Sequence, residues 1–358
     1  MTPLTIDDYE ALARARLERS AYDYYAGAAG DERTLAANRA AFDDILLRPR
    51  VLVDVSRISL ETTVLGQQLA LPVMLAPTAF NRLAHPDGEV AAARAASACG
   101  TVMVASTIST CSLEEIAGAT KGPLWFQLYV YKDRELTRAL VTRSEAAGYR
   151  ALVLTVDTPV LGRRLRDVRN AFVLPEGLSM RNFDAAASTA SRWGAHSSFA
   201  AYVHDLFDAS LSWSAVEWLR SQTRLPLLVK GVLTEEDARL ALDAGVDGII
   251  VSNHGGRQLD GVTPTIRALP EVMEAVDGRA EVLMDGGVRR GSDVLKALAL
   301  GARAVLIGRP YLWGLAADGE AGVCDVLNLL RDELRLSMAL SGRPDVASLD
   351  RSVVQRRA

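Results

Sequence analysis

Cysteine is scarce in this 358-residue chain, with only Cys99, Cys111 and Cys324 present. An odd number without metal-type spacing argues against a disulfide framework and predicts a reducing compartment and no bound metal. Neither sign of charge dominates: 40 Lys and Arg face 44 Asp and Glu, a net −4, and no basic block is present. That balance excludes a general nucleic-acid binder. No apolar run approaches the about 18 residues a transmembrane helix requires, so no membrane partner is expected. The opening MTPLTIDDYEALAR is acidic and lacks the apolar core of a secretory signal, and the closing VVQRRA holds no sorting tripeptide. The expectation is a soluble cytoplasmic protein. What is abundant is apolar residue content, 49% of the chain, ample for a large core.

Those apolar residues recur in eight short runs: PVMLAP (72–77), TVMVAS (101–106), PLWFQLYV (123–130), ALVLTVD (151–157), LPLLVKG (225–231), GIIVSN (248–253), EVLMDGG (281–287) and AVLIGR (304–309). Between them lie amphipathic stretches such as DRELTRALVTRSEAAG and TEEDARLALDAG. Thr234 and Ser292 read as helix N-caps, and Gly100, Gly148, Gly245 and Gly301 sit where a helix should stop. Eight βα units predict an α/β fold of the closed (β/α)8 TIM-barrel type; the competitor is an open doubly wound sheet.

The C-terminal ends of the runs favour the barrel. They read Pro77–Thr78, Ser106, Gln127–Tyr129, Thr155–Asp157, Lys230, Ser252–His254, Asp285–Gly287 and Gly308–Arg309. In a barrel these ends converge on one face, where active sites form. Apolar strands that repeatedly end in hydrogen-bonding groups are costly unless something polar binds there.

One domain spanning 1–358 is expected, with an N-terminal helical cap at 1–70, the barrel at 71–312 and a C-terminal helical segment at 313–358. A long insertion after strand 4, at 158–224, has a small, polar middle, DAAASTASRWGAHSSFA. It reads either as a mobile lid or as a surface excursion.

Two loops suggest a phosphate. DGGVRRGSDVLKALALG follows strand seven and IGRP follows strand eight, combining glycines, helix starts, Arg289 and Arg309. Lys230 could be a Schiff-base nucleophile, a salt-bridge partner or a fixed charge beside an electron-poor ring. In SNHGGRQLD, His254 stands at the end of a β-branched run with two glycines and Arg257 directly after it. A histidine base, Asp157 to support an imidazolium, and Arg257 and Arg164 to fork a carboxylate point to proton chemistry on a small hydroxy or keto acid beside a nucleotide-like cofactor.

These motifs, with YDYYAGAAGDERTLAANRAAF, PTAFNRLAHPDGE, FQLYVYKDR and LTVDTPVLGRR, resemble the FMN-dependent α-hydroxy acid oxidase/dehydrogenase family in its glycolate oxidase and lactate oxidase branch. The resemblance runs over nearly the whole chain. It implies oxidation of a small L-2-hydroxy acid to the 2-oxo acid, with FMN as cofactor and a homotetrameric assembly. His254 matches the family's base and Asp157 its supporting carboxylate. Arg164 and Arg257 match the carboxylate anchors, and Tyr24 and Tyr129 the substrate-facing tyrosines. Pro77, Thr78, Ala79, Ser106, Gln127, Thr155, Lys230 and Ser252 match positions around the isoalloxazine and ribityl chain. Asp285, Gly286, Gly287, Arg289, Gly308 and Arg309 match the ribityl and phosphate site.

The chain departs from glycolate-type members at Ile108, where they carry an aromatic. The smaller side chain predicts a roomier pocket, in which lactate or a longer 2-hydroxy acid rivals glycolate. Ala79, the absence of a haem domain and the absence of an apolar anchor in the 158–224 insertion favour O2 as acceptor, giving H2O2. The alternatives are a dehydrogenase with a non-oxygen acceptor, a Lys230 Schiff-base aldolase, another FMN- or phosphate-binding barrel enzyme, or a non-catalytic flavin-binding protein.

Overall fold

A computed structural model describes residues 3–183 and 199–357. Eight parallel strands close into a barrel: β1 (Val73–Leu75), β2 (Met103–Ser106), β3 (Leu124–Leu128), β4 (Leu152–Thr155), β5 (Leu227–Val232), β6 (Gly248–Val251), β7 (Glu281–Asp285) and β8 (Val305–Ile307). Each pairs with its sequence neighbour, and β8 closes on β1 through Val305–Val73 and Ile307–Leu75. The open doubly wound sheet is excluded.

Period-two alternation of the strands divides the core into two layers. Met74, Val104, Trp125, Val153, Leu228, Ile250, Leu283 and Leu306 pack together as one fully buried cluster. Their strand neighbours, among them Leu75, Phe126, Leu154, Val229 and Ile307, join the larger cluster under the helices. Val64 and Leu69, from the hairpin Thr62–Val64/Gln67–Leu69, complete the first cluster. Trp125 Nε1 donates to Gln67 Oε1 at 3.1 Å, which ties that hairpin to β3.

Helix boundaries follow the expected signals with one exception. Thr234 caps Glu235–Asp243, its side chain accepting from the Asp237 amide. Gly100, Gly148, Gly245 and Gly301 all have positive φ directly after a helix, as a left-handed stop requires. Ser292 is not an N-cap. The helix Gly291–Ala299 starts one residue earlier, and Asp293 Oδ2 turns back to accept from the amides of Arg289 and Arg290. A carboxylate three residues into the helix reaches those amides more effectively than a hydroxyl already inside it.

The flanking segments are less uniform than expected. Helices Ile6–Arg16, Arg19–Ala26 and Arg33–Ala40 make up the first part of the cap, but residues 41–70 contribute short strands instead. Ile45–Leu47 pairs antiparallel with Val354–Arg356, joining the two ends of the chain. The C-terminal helix begins at Arg309 and runs to Leu340, leaving helical geometry at Asp318 and Gly319. The 158–224 span contains the helix that follows β4, Trp213–Gln222, besides the short helices Leu165–Arg169 and Phe199–Leu206. Most of its small polar middle, residues 184–198, lies outside the described residues. Among the described residues no helix is long and apolar enough to cross a membrane, and no acidic, His or Cys cluster could hold a metal.

Candidate active site

The strand ends carry three connected polar groups. At β5–β7, Lys230 Nζ donates to Ser252 Oγ at 3.0 Å and lies 3.3 Å from Asp285 Oδ2, while Ser252 donates to Asp285 Oδ1 at 2.7 Å. The lysine is buried, and its pairing with a carboxylate satisfies a charge that burial alone would penalise. At β2–β4, Ser106 donates to Gln127 Oε1 at 3.2 Å, and Gln127 Nε2 donates to Thr155 Oγ1 at 3.0 Å.

The third group is Asp157 with His254. Asp157 Oδ1 lies 2.8 Å from His254 Nδ1 and accepts from Thr158 Oγ1 at 3.0 Å. Burial lowers the imidazole pKa; Asp157 pulls it up, but Lys230 and Arg164 add to the downward push, and the net shift is down. Burial raises the Asp157 carboxyl, yet the charge and hydrogen bond of His254, with Lys230 and Thr158, outweigh this and the net shift is also down. The resting pair is therefore a carboxylate and a neutral imidazole. With Nδ1–H given to Asp157, Nε2 is left as the free acceptor, the protonation state of a general base.

Two guanidinium groups stand close by. Arg164 is buried, and its Nε donates to Arg257 O at 3.4 Å. Burial and the like charge of Arg257 lower Arg164 to about 10, so it stays a cation at neutral pH. Arg257 donates from Nη1 to Tyr24 O and Gly27 O, at 2.5 and 3.0 Å, and lies 4.8 Å from the centre of the Tyr24 ring. Tyr24 stacks on Phe172 at 4.4 Å, and the Tyr129 ring lies tilted against Phe207 at 4.6 Å. Burial raises both phenols, so they stay protonated donors.

These groups are arranged around one cavity of about 1040 Å³, its solvent mouth included. Tyr24, Pro77, Thr78, Ala79, Ser106, Ile108, Tyr129, Arg164, Lys230, His254, Arg257, Asp285, Gly286, Gly287, Arg289, Gly308 and Arg309 line it. Gln127, Thr155, Asp157 and Ser252 do not; they form the layer beneath and hold the lining groups. Arg309 borders the cavity, and three of its five N–H donors go to the carbonyls of Tyr25, Gly255 and Gly27 at 2.9, 3.0 and 2.7 Å. It clamps the cap to the His254 turn.

At the other end of the cavity the arrangement fits a phosphate. Arg289 Nε is buried without a hydrogen-bond partner, and burial with the nearby Arg39 charge lowers the guanidinium to about 10. Its Nη1 donates to Val288 O at 2.8 Å, so the group is only partly satisfied, and such a cation is unfavourable unless an anion completes it. Gly287, at φ +85, has no room for a side chain, since a Cβ would lie 2.1 Å from Asn38 O. Gly308 starts the Arg309–Leu340 helix with no side-chain cap, leaving a positive helix end beside the cavity.

Several bordering or supporting groups were not foreseen from sequence. Leu161, Val203 and Phe207 line the cavity; Tyr202, Val203, Leu206 and Phe207 follow a helical apolar period, which signals a buried face but not the cavity it borders. Thr158 and Gln258 flank recognised positions, and Gln258 Nε2 donates to Asp157 O and Val160 O, each at 2.9 Å. Fully buried Glu89 accepts from the amides of Asn81, Thr110 and Cys111 and from Thr110 Oγ1. It staples the loops that carry Thr78 and Ile108. Its place in an alanine-rich helix gave no signal.

The chain matches the FMN-dependent dehydrogenase family over residues 13–356. It belongs to that family. Glycolate oxidase 3 of Arabidopsis thaliana is 54% identical over 348 residues, covering 97% of this chain and 95% of the relative. Glycolate oxidase of Spinacia oleracea is also 54% identical, over 97% of this chain and 94% of its own. A crystal structure of a mandelate oxidase superposes with a TM-score of 0.92 at 46% identity, covering 99% of this chain and 98% of that one. The cofactor implied by the family is FMN, and the unpartnered Arg289 Nε, the glycine turn and the open helix end fit its phosphate.

Proposed function

We propose that this member of the family oxidises a small L-2-hydroxy acid to the 2-oxo acid, with O2 as the final acceptor giving H2O2. When bound, FMN supplies the two-electron acceptor. The observation that carries the reading is a neutral imidazole and two neighbouring guanidinium groups lining the same cavity as an arginine whose buried Nε has no partner. Arg164 and Arg257 raise each other's electrostatic cost, which a substrate carboxylate relieves, so anion binding orients the reacting carbon. His254 Nε2 accepts the substrate proton, and Asp157 stabilises the imidazolium that forms. Tyr24 and Tyr129 donate to substrate oxygens. Arg289, Gly286, Gly287, Gly308 and Arg309 form the phosphate end of the cofactor seat. Asp285 and Lys230, with Pro77, Thr78, Ala79 and Ser106, form its ring and ribityl wall, supported from beneath by Gln127, Thr155 and Ser252.

Lys230 is engaged with Asp285 and Ser252, which opposes its use as the free nucleophile of an aldolase. The substrate side chain faces Ile108, Leu161, Val203 and Phe207, an apolar wall. We propose that it accepts lactate and larger 2-hydroxy acids alongside glycolate. Assembly as a homotetramer belongs to the same proposal and is read by light scattering.

The test is anaerobic mixing of the purified holoprotein with L-lactate, glycolate and (S)-mandelate. Loss of the visible flavin absorbance with one or more of them is expected; an unchanged spectrum with all three overturns the proposal. Admitting air should restore the absorbance with release of H2O2, whereas a reduced flavin that persists in air points to a non-oxygen acceptor.

A further inference from the structure

His254 sits in a backbone conformation that costs energy. Its φ is +57°, and Gly255 and Gly256 follow at +64° and +78°. Three successive left-handed residues, the first carrying a Cβ, persist only where their surroundings over-determine them. Within the turn the His254 amide donates to Ser252 Oγ at 3.1 Å, the Gly256 amide to Asn253 O at 2.9 Å and the Arg257 amide to His254 O at 3.3 Å.

The surrounding bonds come largely from the N-terminal cap. The Ala29 amide donates to Gly256 O at 2.9 Å. Asp260, six residues beyond His254, receives the cap backbone: its Oδ2 accepts from Asp31 and Arg33 at 3.0 and 3.3 Å, and its Oδ1 from Thr34 at 2.8 Å. Glu32, the residue before the Arg33–Ala40 helix, makes no side-chain cap bond, so Asp260 supplies the capping carboxylate from a distant part of the chain. Thr34 Oγ1 returns a bond, accepting from the Gly261 amide at 2.8 Å. One turn further along the same helix, Asn38 and Asn253 exchange a reciprocal pair of amide bonds, both 2.8 Å, in the core. Asn253 directly precedes His254, and its Oδ1 also accepts from the Gly256 amide at 3.2 Å. The cap helix thus grips the His254 turn on both sides, at Asn253 and at Asp260.

We propose that Asp260 and Asn38 are positioning residues for His254, acting through the Arg33–Ala40 helix as a splint that holds the base in its left-handed conformation. The inference rests on the reading of His254 as the base. A splint is needed because the geometry that aims the ring is not the one its own backbone prefers. A shift of about 1 Å at the base suffices for a large loss of rate.

The test compares Asp260→Ala, Asn38→Ala and the double variant as holoproteins at saturating FMN, by anaerobic stopped-flow reduction with the best substrate. Each single variant should keep the flavin spectrum but slow reduction by about 10–100-fold. The double variant should lose less than the product of the two single losses, because one splint is broken twice. The acid limb of the kcat/KM profile should move in both single variants as the Asp157 contact loosens. Reduction within twofold of the parent protein, with only the melting temperature lowered, overturns the proposal and leaves a purely structural cap. Multiplicative losses also overturn it, since the two residues would then act separately. His254→Gln run in parallel keeps the two readings apart: fast reduction in that variant rejects His254 as the base, whatever the splint variants do.

Discussion

Asp157 holds His254 through one oxygen only: Oδ1 lies 2.8 Å from Nδ1, while Oδ2 is buried with no hydrogen-bond partner. A carboxylate left half-satisfied inside the protein retains most of its charge for the imidazole beside it. The pair is therefore poised for the moment when the ring becomes a cation.

Asp157→Asn removes that charge while keeping the shape. The imidazolium loses its counter-charge, and Nδ1–H loses its strongest acceptor. Flavin reduction by substrate should slow by about 10²-fold or more, with little change in FMN content. Anaerobic stopped-flow spectrophotometry checks it, and a near-normal rate would show that His254 works without this carboxylate.

The pH dependence follows from the direction of the His254 shift. Burial, with Lys230 and Arg164, lowers its pKa below the ordinary imidazole range of about 6.5 despite the opposing pull of Asp157. A lowered pKa means that the neutral, proton-accepting form persists to lower pH. Activity should accordingly hold as pH falls through about 6.5 and drop only below it. A kcat/KM profile in constant-ionic-strength buffers reads the limb directly; one centred well above about 7 contradicts the assignment.

Arg289→Met keeps the stem of the side chain and deletes the guanidinium with its unpartnered Nε. If that group completes a phosphate, FMN affinity should fall by about 1.5–3 kcal/mol, roughly 10–150-fold. The apoprotein should be little destabilised, because it is relieved of a buried charge. Fluorescence titration of apoprotein with FMN measures the first effect and thermal melting the second.

Ile108→Trp narrows the apolar wall. Mandelate should lose at least about 10-fold in kcat/KM, while glycolate, which has no side chain to displace, should change little. The ratio of the two specificity constants cancels any general loss of active protein. An unchanged ratio would place the substrate side chain elsewhere in the cavity.

Much of the framework was legible in the residues. The eight strands, the four helix-stopping glycines and the polar strand ends each follow from local patterns of period two, helical period and turn chemistry. The convergence of those ends on one face follows from barrel closure. Ser292 was misread because a hydroxyl and a nearby carboxylate both signal a helix start, and only the backbone decides which of them reaches the free amides. The short strands within residues 41–70 were missed because their partners lie far away in sequence, with Ile45–Leu47 paired to Val354–Arg356.

The sequence alone determined the chemistry available at the site: which strand ends lead into the histidine, the carboxylate and the glycine loops, and which loops carry the two arginines. Tertiary structure decided which of those groups face the cavity and which stand behind it, as Gln127, Thr155, Asp157 and Ser252 do. It also placed Glu89, Asn38 and Asp260 against backbone amides and side chains far away in the chain. The physical reason is that a polar residue's role depends on its partner. Partners brought together across tens or hundreds of residues leave no local period, cap or turn by which a sequence could announce them.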